Sequence, residues 1–308
     1  MPEHDDAGSE GGDPPVPTVH PNLRPDIQPV HAHIALWSWL GLGVVVALLG
    51  TLLLVKVIGG SDLAGTVRAA TSPQILQEVT SVPRSVTDAV GVASPTVPVH
   101  PPTVVSARGP LLVARASNGA RLPEVLYLGT EFCSFCAAER WPLIVALSRF
   151  GSFDTLFDMQ SSLVDYAPGT PTFTFFGTSY ESTYVVFRPF EVQSDVLGPR
   201  GYDELMRVSG AVRAVLARLD PTSTYPFVDV ANRVVVRQAG LSPETLAGLT
   251  RDGIAARLAD PTSAVTQAIL VAANELTASI CDVDGERPGA VCASIGVREA
   301  DSLLGLPG

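Results

Sequence analysis

Lysine is almost missing from this sequence: Lys56 stands alone against 19 arginines. Acidic residues number 31, so the net charge is −11. A chain this acidic has no overall electrostatic footprint for nucleic acid, which makes DNA and RNA poor candidates as partners. Only four cysteines occur, too few for a small scaffold held by many disulfides. Histidine occurs five times, a thin supply for metal chemistry. Charged residues make up 17% of the chain and hydrophobic ones 46%, which is wrong for a wholly disordered protein. No internal repeat is visible. What is abundant is glycine (27) and proline (26), which implies irregular stretches beside a packed core. The 308 residues leave room for one large domain or two small ones.

One apolar run divides the chain. Residues 34–58, IALWSWLGLGVVVALLGTLLLVKVI, carry a single charge, Lys56, near the end. As a helix the run is about 37 Å long, enough to cross a hydrocarbon core of about 30 Å. Trp37 and Trp39 suit one membrane interface, and Lys56 can snorkel at the other. A cleaved signal peptide fits less well, because the run is too long, begins late and follows an acidic flank. No second run of this length occurs, so a single-pass transmembrane helix is expected. Residues 1–33 are acidic and Pro-rich and read as a disordered tail, with His20, His31 and His33 as solvated side chains. Arg24 precedes the span, while Lys56 and Arg68 follow its core. The positive-inside rule thus turns the C-terminal part to the cytoplasm by one residue.

Beyond the span, residues 59–110 read as a linker with one short amphipathic helix. Ser72 can cap that helix and Pro73 suits its first position. Residues 93–110 read as an extended Pro-rich connector. The core signal begins with EVLYLGTEF, 124–132, a buried strand. A helix kinked at Pro142 follows, then a strand in DTLFDMQSSL. TPTFTFFG and TYVVFRPFEV are expected to form a hairpin across GTSYES, with Pro189 keeping the second strand at an edge. GYDELMRVSGAVRAVLARLD is expected to be one amphipathic helix, and PFVDVANRVVVRQAG two short strands about Ala231 and Asn232. SPETLAGLTRDGIAARLAD and PTSAVTQAILVAANELTASIC are two further helices.

The chemistry-bearing motif is Cys133-Ser134-Phe135-Cys136, set between the buried strand and the helix. A cysteine at a helix N-terminus feels the positive end of the macrodipole, and free backbone N–H groups stabilise its thiolate. The second cysteine lies one turn on, at a spacing of about 5–6 Å that a disulfide needs. Cys133 is expected to be the exposed nucleophile and Cys136 the buried resolving thiol. A static disulfide and a zinc site are the alternatives. The latter is weakened because Cys281 and Cys292 are ten residues apart rather than two to four. Glu131, Glu139 and Arg140 lie close enough to tune Cys133, but are expected to be a solvated helix end. Cys281 and Cys292 flank a turn-rich loop and read as a structural disulfide contributing on the order of 3 kcal/mol. A second redox pair relaying electrons is the alternative there. Such a bond persists in an oxidising compartment, which argues for an extracytoplasmic C-terminal part against the charge bias.

The run EVLYLGTEFCSFCAAERWPLIVALSRFGSF, with GTPTFTFFGTSYES and YPFVDVANRVVV after it, resembles the domain-of-unknown-function family numbered 929. Those are membrane-anchored prokaryotic proteins held to be thioredoxin-like. The resemblance implies a thioredoxin-like fold with a cis-proline against the dithiol. Two bonds are candidates: Tyr225-Pro226, which the topology favours, and Thr170-Pro171, in a Thr-Pro-Thr context. The chain departs from thioredoxin at Tyr127, where an acid is usual, and in the Ser-Phe dipeptide between the cysteines.

The fold class expected is therefore α/β: a thioredoxin-like domain at 111–308 with an extra hairpin and extra C-terminal helices, preceded by one transmembrane helix. The function expected is a membrane-anchored thiol–disulfide oxidoreductase of the bacterial cell envelope. It acts on exported proteins with a membrane electron partner and without cofactor or metal. The alternatives are a non-catalytic binding or assembly module with a static disulfide, and a thiol-based metal carrier or redox sensor.

Overall fold

The computed structural model describes residues 68–92, 95–105 and 110–307. The acidic tail, the predicted span at 34–58 and the first part of the linker lie outside the described residues.

Two short helices come first. In α1 (Pro73–Thr80) the Ser72 hydroxyl accepts the Ile75 N–H at 3.3 Å, capping a helix that opens on proline. Pro83 cannot continue it, and α2 (Arg84–Val90) starts anew where one helix was expected. The Pro-rich connector then supplies β1 (Thr103–Val104), and β2 (Val113–Arg115) follows. Next come β3 (Arg121–Gly129) and α3 (Ser134–Leu147), which runs on through Pro142. β4 (Gly151–Gln160) and β5 (Pro171–Ser182) form an antiparallel pair. β6 (Val186–Glu191) precedes a second antiparallel pair, β7 (Gln193–Gly198) and β8 (Gly201–Glu204). The remaining elements are α4 (Gly210–Leu219), β9 (Phe227–Val230), β10 (Val234–Val236), a 3₁₀ turn (Pro243–Leu246) and four helices. Those helices are α5 (Arg251–Arg257), α6 (Ala264–Asp284), α7 (Gly289–Cys292) and α8 (Ile295–Leu304).

The protein is thus a mixed α/β structure around a mixed sheet. Its strand order is β6-β3-β9-β10-β1, with β2 against the N-terminal end of β3. β6 runs parallel to β3 and β9 antiparallel, with Leu128 opposite Phe190 on one side and Phe227 on the other. The turn from β9 to β10 passes through Ala231 and Asn232, both at positive φ. β3 reads as an unbroken apolar run because both its faces are covered. Val125 and Tyr127 point into the larger core with Trp141 and Ile269, while Leu126 and Leu128 point to the opposite side with Val212 of α4.

Three expectations are corrected. TPTFTFFG and TYVVFRPFEV are not a hairpin: β5 extends through GTSYES and pairs with β4, while β6 joins β3 in parallel. Residues 201–220 are not one helix: Gly201–Glu204 is a strand, and the helix spans Gly210–Leu219. Residues 242–260 divide into a 3₁₀ turn and α5, separated by Gly248 at φ +73°. A terminal helix, α8, also follows Cys292, where only a tail was expected.

α6 is long and apolar enough to cross a membrane by length and composition, yet 89% of the stretch is buried within the fold, which marks a core helix. Cys281 at its end is bonded to Cys292 of α7, with the Cα atoms 5.7 Å apart.

Candidate dithiol site

The site forms where β3 hands the chain to α3. Cys133 is itself the N-cap: its sulfur accepts the Cys136 N–H at 3.3 Å. A cysteine in this place meets one of the four N–H groups that a helix start leaves unpaired, which favours its thiolate. The thiol of Cys136 adds a second hydrogen bond to that sulfur and is the largest cause that holds Cys133 below the usual thiol range. Cys136 is pushed far the other way by burial, reinforced by the negative charge of Cys133. The pair is unbonded, and both sulfurs are available to form a disulfide.

One expectation fails here. Cys133 is not exposed: only 8% of it is accessible, against none of Cys136. A loop from β4 to β5 folds over the helix start. Ser162 N–H donates to the Phe132 carbonyl at 2.9 Å, and the Asp165 carboxylate accepts the Ser134 N–H at 2.6 Å. The β7–β8 hairpin adds Tyr202, whose ring stacks on Phe132 at 4.1 Å while its hydroxyl donates to Ser162 at 2.9 Å. Phe135, between the cysteines, stacks on Tyr166 of the same loop at 5.3 Å. The loop presents Leu163, Val164 and Tyr166 outward, each about two-thirds or more exposed.

The expected solvated helix end is likewise absent. Glu131, Glu139 and Arg140 are all buried. Arg140 donates from Nε and Nη2 to Glu191 of β6 at 2.8 and 2.7 Å, and from Nη2 to the Thr130 carbonyl at 2.9 Å. Glu131 pairs with Arg68 and accepts the Thr174 hydroxyl at 2.6 Å; burial nevertheless pushes it up to about 7. Glu139 faces the other way, toward α6, and accepts the Gly240 N–H at 2.7 Å.

The two proline candidates separate. Tyr225-Pro226 is cis and leads into β9, and burial raises the Tyr225 hydroxyl, with Cys136 among its neighbours. Thr170 and Pro171 open β5 on the flank of α3, where the Pro171 carbonyl accepts the Trp141 indole N–H at 3.0 Å. Among the described residues the cis bonds are Tyr225-Pro226 and Arg287-Pro288. No group of three His, Cys, Asp or Glu side chains converges to hold a metal among those residues.

Asp165, Glu191 and Tyr202 went unnoticed in the sequence because they are distant from the motif; Arg140 was visible as the residue four after Cys136. No curated protein and no solved structure matches the chain. Residues 115–197, which carry β3, the dithiol and the Arg140–Glu191 pair, match a family model described as Domain of unknown function (DUF929).

Proposed function

We propose that this protein is a thioredoxin-like thiol–disulfide oxidoreductase, anchored by residues 34–58 and acting on exported polypeptides. The observation that carries the reading is the asymmetry of the dithiol: one sulfur capped by an N–H and biased to thiolate, the other fully buried and biased to thiol. That is the division of labour between an attacking and a resolving cysteine. The strand order β6-β3-β9-β10, with the CxxC after β3 and Pro226 before β9, supports the fold assignment. The Cys281–Cys292 bond supports an oxidising compartment for this part of the chain.

In the reducing direction, the Cys133 thiolate attacks one sulfur of a substrate disulfide. A Cys133–substrate S–S bond forms, the substrate bond breaks, and the departing thiolate takes a proton from solvent. Cys136 then attacks the Cys133 sulfur, the Cys133–substrate bond breaks, and the Cys136 proton passes to the departing second substrate thiolate. Two electrons pass to the substrate and the pair is left as a disulfide. The reverse order oxidises a dithiol. A membrane-borne electron partner returns the pair to its starting state, and no cofactor takes part.

The burial of Cys133 favours one rival, an envelope binding module in which the pair forms a static bond. Trapping separates the two. In cells, full-length Cys136→Ser should accumulate mixed disulfides through Cys133, and Cys133→Ser should accumulate none. Absence of adducts with both variants would overturn the oxidoreductase reading.

A further inference from the structure

On the side of α3 that carries the two cysteines lies a set of buried polar atoms that the core does not require. Arg140 stands four residues after Cys136 and seven after Cys133, so all three share one face of the chain entering and forming α3. A guanidinium taken fully out of water costs several kcal/mol unless paired. Glu191 supplies that pairing through two nitrogens, and the Thr130 carbonyl takes a further hydrogen bond. The third nitrogen, Nη1, has no partner. Two hydroxyls at the same place have none either, those of Tyr127 and Thr130. The Tyr127 ring lies 5.8 Å from the guanidinium carbon. Its hydroxyl reaches Gly129, where any Cβ would collide with it. Thr130 closes the group, because its N–H faces Cys136 while its carbonyl holds Arg140. A buried polar group left without a partner destabilises the fold, so three together are not a stability device.

We infer that Arg140 is a positioning residue of the dithiol: Glu191 and Thr130 fix its guanidinium with one nitrogen uncommitted, on the face of the helix start that carries both cysteines, to favour the thiolate during exchange. The inference rests on the oxidoreductase reading. Arg140 acts on both cysteines in the direction of the thiolate. The other ionisable groups facing the site are Tyr127 and Glu131 at the end of β3, Glu191 on β6, Asp165 on the covering loop and Tyr225 ahead of β9. Arg68 pairs with Glu131, and Asp165 opposes the thiolate at Cys133.

Two variants of the full chain in detergent test this with opposite expected signs. Arg140→Met removes the cation and keeps the stem. Glu191→Gln removes the counter-charge and keeps an acceptor for Arg140. The readouts are the pH profile of Cys133 alkylation by iodoacetamide and the dithiol–disulfide equilibrium in glutathione buffers. In Arg140→Met the Cys133 profile should move up by about one pH unit and the equilibrium about tenfold toward the disulfide. In Glu191→Gln both should move the opposite way, and Arg140→Lys should restore most of the native behaviour. General loosening of the site would shift both variants alike, so shifts of the same sign, or none, overturn the inference. If Arg140→Met does not fold, an unchanged equilibrium in Glu191→Gln overturns it alone. These readouts need no polypeptide substrate, so a failure to trap adducts sinks the oxidoreductase reading and leaves this measurement standing.

Discussion

Raising the pH from 5 to 8 should lower the thermal stability of the folded protein, and Glu139→Gln should remove part of that loss. Glu139 on α3 is 1% exposed and accepts the Gly240 N–H at 2.7 Å. It faces Glu275 of α6, which is equally sealed and has one carboxyl oxygen without a partner. Burial pushes Glu139 up to about 8, with the nearby Glu275 adding to the effect, and pushes Glu275 to about 7. Burial also raises Glu131 and Asp229 to about 7. The ordinary values are 4.5 for Glu and 3.8 for Asp. Between the ordinary and the raised value, the folded state holds a proton that the unfolded chain has released. Stability is therefore fully present below the ordinary value and lost as pH climbs toward the raised one. One such group contributes a slope of about 1.4 kcal/mol per pH unit. Melting curves at pH 5, 6, 7 and 8 should show the wild type falling more steeply than Glu139→Gln by about that slope. Gln keeps the carbonyl that receives the Gly240 N–H, so the variant should fold. Parallel curves for the two proteins would show that Glu139 is charged in the native state.

The reduced protein should alkylate predominantly at one sulfur. At neutral pH, Cys133 should react with iodoacetamide faster than Cys136 by on the order of 100-fold or more, because reactivity follows the thiolate and its accessibility. Both act in the same direction here. Cys133 keeps a small exposed surface and a lowered pKa, while Cys136 has no exposure and a raised one. Shortening the covering loop between Ser162 and Thr170 should speed Cys133 further, since Asp165 competes for the helix-start N–H groups and disfavours the thiolate. Mass mapping of the labelled cysteines reads the ratio. Equal rates would mean that the helix start does not distinguish the two.

The legible parts of the sequence were those whose cause is local. β3 was visible as an apolar run covered on both faces, and the β9–β10 pair through Ala231 and Asn232; α6 starts at Ala264, past Pro261, and its N-cap Ser263 makes no side-chain bond. The failures concern pairings made at long range. Only three residues separate β5 from β6, a spacing that suggests a hairpin, yet the two strands enter different sheets. Residues 201–208 contain Glu, Leu and Met, which suit a helix, but the Gly198-Pro199-Arg200-Gly201 turn binds them to β7 instead. The site followed the same division. Cys133 and Cys136 were readable from the motif and its strand–helix setting. Their surroundings were not, because Asp165 and Glu191 arrive from a loop and a strand that no local pattern ties to the helix. Arg140 reads as solvated in the sequence because a charged residue in the first turn or two of a helix usually is. Its partner, Glu191, sits 51 residues on.

The measurement that bears most directly on the redox role is the reduction potential of the Cys133–Cys136 pair in the full chain, by equilibration against thiol–disulfide buffers of known poise. A helix-start thiolate stabilised by the Cys136 N–H and by Arg140 favours the reduced form. The pair should then stand well above about −300 mV, where exchange with other proteins operates. A value below about −300 mV would make the bond structural and contradict the exchange of electrons proposed for it.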